Sequence, residues 1–150
     1  MKVLKCVVFV VVLGVSSLAC AADGLIVLES SYSAGETMNR FEEIVKQRQL
    51  KVFARIDHAA GATSIGKSLR PTEVIVFGNP QGGTPFMECA QTVGIDLPLK
   101  ALVWEDESAR VWVGYNDPAY LARRHGAADC AVVENLGNAL KGIAEAAVAR

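Results

Sequence analysis

Residues that usually mark chemistry are scarce in this chain. Its four cysteines and two histidines form no CxxC, CxxCH or HxxxH pattern, so no metal site is predicted and c-type haem is excluded. No GxSxG is present, which leaves nucleophilic hydrolysis without its usual signature. The one basic cluster is Arg123-Arg124-His125, which reads as a solvated helix end. A nucleic-acid binder needs a broader basic face, so no nucleic-acid partner is expected. The longest apolar run, Val7 to Val15, is shorter than the roughly 20 residues of a membrane span. Beyond these, the sequence leaves the cofactor unassigned.

That apolar run has a different meaning. Lys2 and Lys5 precede it and the small residues Ala19-Cys20-Ala21 follow it, the layout of a secretory signal with an A-x-A cleavage site. Residues 1–21 are therefore expected to be removed, with the step after Ala22 as the neighbouring option. Lipid attachment at Cys20 is the rival reading, disfavoured by Ser17 where a large aliphatic residue is wanted. The product is expected to be periplasmic or secreted, with no membrane attachment after processing.

Residues 22–150 have a length suited to one domain. Losing two lysines leaves thirteen basic against sixteen acidic residues, a net charge of −3. Two cysteines remain, Cys89 and Cys130, and in an oxidising compartment they are a possible disulfide, the alternative being buried free thiols.

Apolar periodicity then predicts the elements. "GLIVLES" suits a buried strand. Ser33 and Glu36 have the spacing of a capping box, and Met38, Phe41, Ile44 and Val45 recur at helical intervals beyond it. "LKVFARID" sets Leu50, Val52, Ala54 and Ile56 against Lys51, Arg55 and Asp57, a half-buried strand in which Phe53 breaks the alternation. "EVIVF" reads as an interior strand. Thr84-Pro85 is a candidate helix start, that helix ending near Gly94. "KALVWEDESARVWVGYND" reads as a hairpin, Asp117-Pro118 as the start of a helix stopping at Gly126, and Val133 to Ala147 as a terminal helix. The predicted order is strand, helix, strand, short helix, strand, helix, hairpin and then two helices, an α+β, two-layer pattern with a mainly antiparallel sheet packed by helices.

Between the interior strand and the helix after it lies "VFGNPQGGTPFM". Gly78 and Gly83 have the spacing of a phosphate-binding loop, but Thr84 stands where the lysine is required and Pro85 removes a backbone donor. Nucleotide hydrolysis is disfavoured on that ground. A helix start near Gly83 and Thr84 still offers partial positive charge to a small anionic ligand, against the plainer reading of a tight turn.

"IDHAAGATSIGKSLRPTEVIVFGNPQGGTPFM", "GIDLPLKALVWED" and "VWVGYNDPAYLARRHG" together resemble the DUF302 domain of the TT1751-like superfamily. The resemblance implies a TBP-like α+β fold, often found as a homodimer, and implies no reaction. It singles out His58, Asn79, Gly83, Thr84, Asp96, Tyr115 and His125 among its positions. His58 follows a strand end and Asp57, where it suits an acid, a base or a ligand. His125 ends a helix, a place where the dipole favours a cation. Asp96 precedes Leu97-Pro98 and suits a turn. Tyr115 ends a hairpin strand with a hydroxyl to donate.

Three functions are compatible with these residues. The first is a small-ligand-binding or sensing module, with His58 brought to Asn79–Thr84 if the outgoing ends of two neighbouring strands meet. The second is a periplasmic enzyme using His58 or His125 as general base. The third is a structural or docking module for an envelope or redox partner.

Overall fold

The computed structural model describes residues 22–150, so the signal peptide and the lipid alternative at Cys20 lie outside the described residues. The elements run β1 (Leu25–Ser30), α1 (Ala34–Gln47), β2 (Lys51–Asp57), α2 (His58–Ser64), β3 (Thr72–Gly78), α3 (Pro80–Cys89), a 3-10 turn (Gln91–Ile95), β4 (Leu99–Glu105), β5 (Val111–Asn116), α4 (Pro118–Arg124) and α5 (Val132–Val148). The five strands form one sheet in the order β1-β5-β4-β3-β2, and every neighbouring pair is antiparallel.

The main core lies between the sheet and the two long helices. Met38, Phe41 and Val45 of α1 and Leu140, Ile143 and Ala147 of α5 close onto Ile75, Phe77, Ala101, Val103 and Val113. The helical spacing of the first six puts each set on one face, and the strand residues are every second position of their runs. The Phe41 and Phe77 rings meet edge-on at 5.4 Å. Ser33 caps α1 through its hydroxyl, which accepts from Glu36 N, and Asp117 caps α4 by accepting from Ala119 N. A second, smaller core joins Phe86, Val93, Leu121, Ala122, Cys130 and Val133. The sulfurs of Cys89 and Cys130 are bonded there, with the two Cα atoms 6.0 Å apart.

Two local expectations are corrected. Helix α3 starts at Asn79-Pro80, not at Thr84-Pro85: the Asn79 side chain accepts from Gly82 N and Pro80 takes the first helical position. Both Xaa-Pro pairs carry the same start signal, and the upstream one places Gly82, Gly83 and Thr84 inside the helix. Helix α3 ends at Cys89, with Gly94 in the following 3-10 turn. In β2 the register slips between Val52 and Ala54, so Phe53 is the extra residue of a β-bulge. Val52 therefore packs on the helical core, while Ala54 and Ile56 turn to the opposite face and Arg55 turns back under α1. There its guanidinium donates to Glu73 through Nε (2.6 Å) and NH2 (2.9 Å), and to Glu42 of α1 (2.8 Å).

The opposite face of the sheet carries Val27, Val74, Val76, Leu102, Trp104 and Trp112, as the register requires. The two indoles stack with centroids 6.5 Å apart. Gly114 makes room for them: a Cβ there would lie 2.8 Å from the Trp104 ring.

Candidate functional site

A cavity of about 430 Å³ opens between α3, α5 and the end of the sheet where β2 begins and β3 finishes. Its walls are Leu50 just ahead of β2, Phe53 within it, Met87 from α3, Leu97, Pro98 and Leu99 leading into β4, and Leu136, Leu140 and Ile143 from α5. The volume falls within the range of small-molecule sites, and walls of this composition are the norm for them.

Local sequence explains why the space is not filled. Helix α3 presents Gly82 and Gly83 toward its neighbours, and an added Cβ would meet Leu136 Cδ2 at 3.1 Å and Leu97 Cδ1 at 3.6 Å respectively. The Leu136 and Leu97 side chains pack against the bare backbone of α3, and no side chain from these glycine positions enters the void. The β-bulge supplies the other wall by turning Phe53, half-exposed, to the cavity mouth. Lys51 Nζ stands 5.1 Å from the centre of that ring.

Of the residues singled out from sequence, Asn79, Gly83 and Thr84 line this cavity. They do not make the expected anion cradle. Pro80 has no N–H, and Gly82 N already donates to Asn79 Oδ1 at 2.9 Å. Gln81 is thus left as the first-turn donor, too little for an anion nest.

His58 is elsewhere. Antiparallel pairing sets Lys51 opposite Gly78 and Asp57 opposite Glu73, so β2 ends where β3 begins. Roughly 20 Å of strand separates His58 from Gly83 at about 3.3 Å per residue. The expected shared site of His58 with Asn79–Thr84 does not form, because outgoing ends of adjacent strands meet only when the strands are parallel. His58 is the exposed first residue of α2, and Asp57 caps that helix by accepting from Ala60 N at 2.9 Å.

Asp96 and His125 come together in a second cluster. His125 Nε2 meets Asp96 Oδ2 at 2.7 Å and its Nδ1 meets Thr92 Oγ1 at 3.0 Å. Arg124 donates to the other Asp96 oxygen at 3.2 Å, and Lys100 Nζ donates to the Asp96 carbonyl at 2.8 Å. This ties the end of α4 to the 3-10 turn and the start of β4. Burial lowers the Lys100 pKa, with the Asp96 charge acting against it. Among the described residues no group of three or more His, Cys, Asp or Glu side chains is placed to hold a metal ion.

Tyr115 belongs to the core, 2% exposed on the helical face of β5. Burial raises the pKa of its phenol and the charges of Glu145 and Asp117 raise it further. It is not among the residues that line the cavity.

Sequence reading missed the apolar walls. Leu136 and Leu140 fall in the stretch that reads only as a terminal helix, and for the apolar walls the local signal is Phe53, the residue out of step in an otherwise alternating strand.

Comparison with known proteins places this architecture. Residues 26–146 match the model of the family described as "Domain of unknown function DUF302". The chain is 51% identical over 102 residues to proteins named Fluoride-specific ion channel FluC 1 in Brucella suis biovar 1 and FluC 2 in Brucella melitensis biotype 1. The matches take in 68% of this chain but only 40% and 38% of those relatives, so the chain spans well under half of their length. No helix among its described residues is long and apolar enough to cross a membrane. The crystal structure of an uncharacterized conserved DUF302 protein from Bacillus stearothermophilus superposes with a TM-score of 0.75. That superposition covers 84% of this chain and 99% of that one, at 20% identity, and shows a shared fold. With the family model spanning nearly all of the described sheet and helices, the chain belongs to the DUF302 family.

Proposed function

We propose that this protein is an exported binding module whose cavity between α3, α5 and the sheet takes a small, largely apolar molecule. The observation that carries the reading is the cavity itself: about 430 Å³ walled by leucine, phenylalanine, methionine and proline side chains, a space whose burial favours an apolar guest at roughly 25 cal/mol per Å² removed from water. Export is supported by the charged, apolar and small-residue order of the first 21 residues and by the Cys89–Cys130 bond, a type that persists in oxidising compartments. The neutral dye N-phenyl-1-naphthylamine tests the cavity: its fluorescence should rise on binding at one site per chain. No rise at micromolar protein would sink the reading.

The same proposal takes the protein to be a homodimer. The face of the sheet opposite α1 and α5 bears Val74, Leu102, Trp104 and Trp112, an apolar surface of the kind that marks interaction sites. Light scattering should report a dimer that Leu102→Glu converts to a monomer.

A second reading, proton transfer at His125, has one observation in its favour, the Thr92–His125–Asp96 hydrogen-bond chain. Both ring nitrogens are occupied within that chain, however, and the arrangement serves first to fix the end of α4. A docking role for an envelope or redox partner would use the apolar sheet face in place of the second copy.

A further inference from the structure

We infer that the cavity's guest is an amphiphile with an anionic head, of the fatty carboxylate type, its tail among Leu136, Leu140 and Ile143 and its head between Arg48 and Lys51. The inference rests on the cavity reading and names the class of molecule that fits it.

The mouth is identified by Phe53 and Ala139, which line the cavity and are also exposed to solvent. A cation stands at each. Lys51 Nζ lies 5.1 Å from the Phe53 ring centre. Arg48 reaches across α5, donating NH1 to Ala139 O at 3.4 Å, with its guanidinium 3.1 Å from where a Cβ on Gly142 would be. Leu50, between the two in the chain, is itself part of the wall. The short connection from α1 to β2 therefore carries one apolar wall residue between two cations, each of which lies beside a residue that lines the cavity.

The charge is uncompensated there. Lys46, Arg55, Arg70, Arg110, Arg124 and Lys141 each have an acidic partner within 4 Å; Arg48 and Lys51 have none among the described residues, as is also true of Arg40, Lys67, Lys100, Arg123 and Arg150. What sets Arg48 and Lys51 apart is their place beside residues that line the cavity. Gly142 adds to the case, because its bare backbone leaves the guanidinium room against α5, where a Cβ would crowd NH2 at 3.1 Å and NH1 at 3.2 Å. A neutral apolar guest would use the walls and leave both cations idle. An inorganic anion would use the cations and leave the walls idle. A single-chain carboxylate uses both, its head remaining hydrated at the rim while the tail is buried.

The test is competition for N-phenyl-1-naphthylamine on the full mature chain by octanoate, 1-octanol and sulfate, with the variant Arg48→Gln/Lys51→Gln alongside. Octanoate is expected to displace the dye about tenfold more tightly than 1-octanol. Affinity should rise roughly fourfold per added methylene until the cavity is full, and sulfate should not compete. The double variant, whose fold is checked by its melting curve, should bind 1-octanol as before and lose the preference for octanoate. Equal displacement by octanoate and 1-octanol, an unchanged preference in the variant, or sulfate matching octanoate would each overturn the head assignment and leave the cavity reading standing. If the dye itself never binds, the cavity reading fails, and this inference with it.

Discussion

Cys89, the last residue of α3, is bonded to Cys130, two residues ahead of α5. The bridge closes a loop with a sequence separation of 41 that contains β4, β5 and α4, and it ties together the two helices that wall the cavity. A loop of that size constrains the unfolded chain by roughly 4 kcal/mol on the chain-entropy model. Reduction by dithiothreitol, or Cys130→Ser, should therefore lower the urea midpoint substantially, with a somewhat larger m-value because the freed chain exposes more surface on unfolding. Dye binding should weaken in the same samples. A reduced protein with an unchanged midpoint would show that the bridge is absent from the folded protein in solution.

The glycines of α3 make a second test. A Cβ at Gly83 meets Leu97 at an ordinary 3.6 Å, so Gly83→Ala should be accommodated and should stabilise the helix by about 0.5–1 kcal/mol. Gly83→Leu should instead project into the void and cut dye affinity at least tenfold while the melting temperature stays close to that of the parent protein. Full dye binding by the leucine variant would place the dye somewhere other than this cavity.

Asp106 organises the β4–β5 turn. Burial raises its pKa, but hydrogen bonds from Trp112 Nε1, Arg110 N, Ser108 N and Arg110 Nε outweigh that and bring it down to about 2. The folded value is below the unfolded one of roughly 3.9, so the contribution to stability is complete above pH ~4 and is lost as pH falls toward 2. Thermal melts across that window should show the loss, and Asp106→Asn should flatten it. Tryptophan emission should shift in the same window, because Trp112 donates to the titrating carboxylate.

The two histidines should behave differently. His58→Ala removes an exposed side chain with no hydrogen bond among the described residues, and it should change neither stability nor dye binding beyond ~0.5 kcal/mol. His125→Ala breaks the bonds to Asp96 and Thr92 and should cost about 1–2 kcal/mol, read as a lower denaturant midpoint. A His58→Ala protein that loses binding would contradict the position of the site.

Much of the fold was legible because its signals are local. Ser33 and Asp117 accept from backbone N–H groups two or three residues on, so a window of four residues holds all that is needed to read their helix starts. The hairpin around Asp106 is legible for the same reason. The start of α3 was not, since Asn79-Pro80 and Thr84-Pro85 carry equal local signals and the choice falls to packing against Leu97 and Leu136. The bulge at Phe53 is similar: the broken alternation was visible, but which residue of β3 faced it was not.

By itself, the sequence determined the α+β class, most of the strands and helices, the caps Ser33 and Asp117, the pattern of the main core and the family, because periodicity and capping act over at most a few turns of chain. Only the tertiary structure decided the direction in which β2 and β3 pair, and with it that His58 and Gly83 stand at opposite ends of the sheet. It also decided the cavity. A void is defined by what α3, α5 and the β2 bulge jointly fail to fill, and no single segment of sequence carries that information.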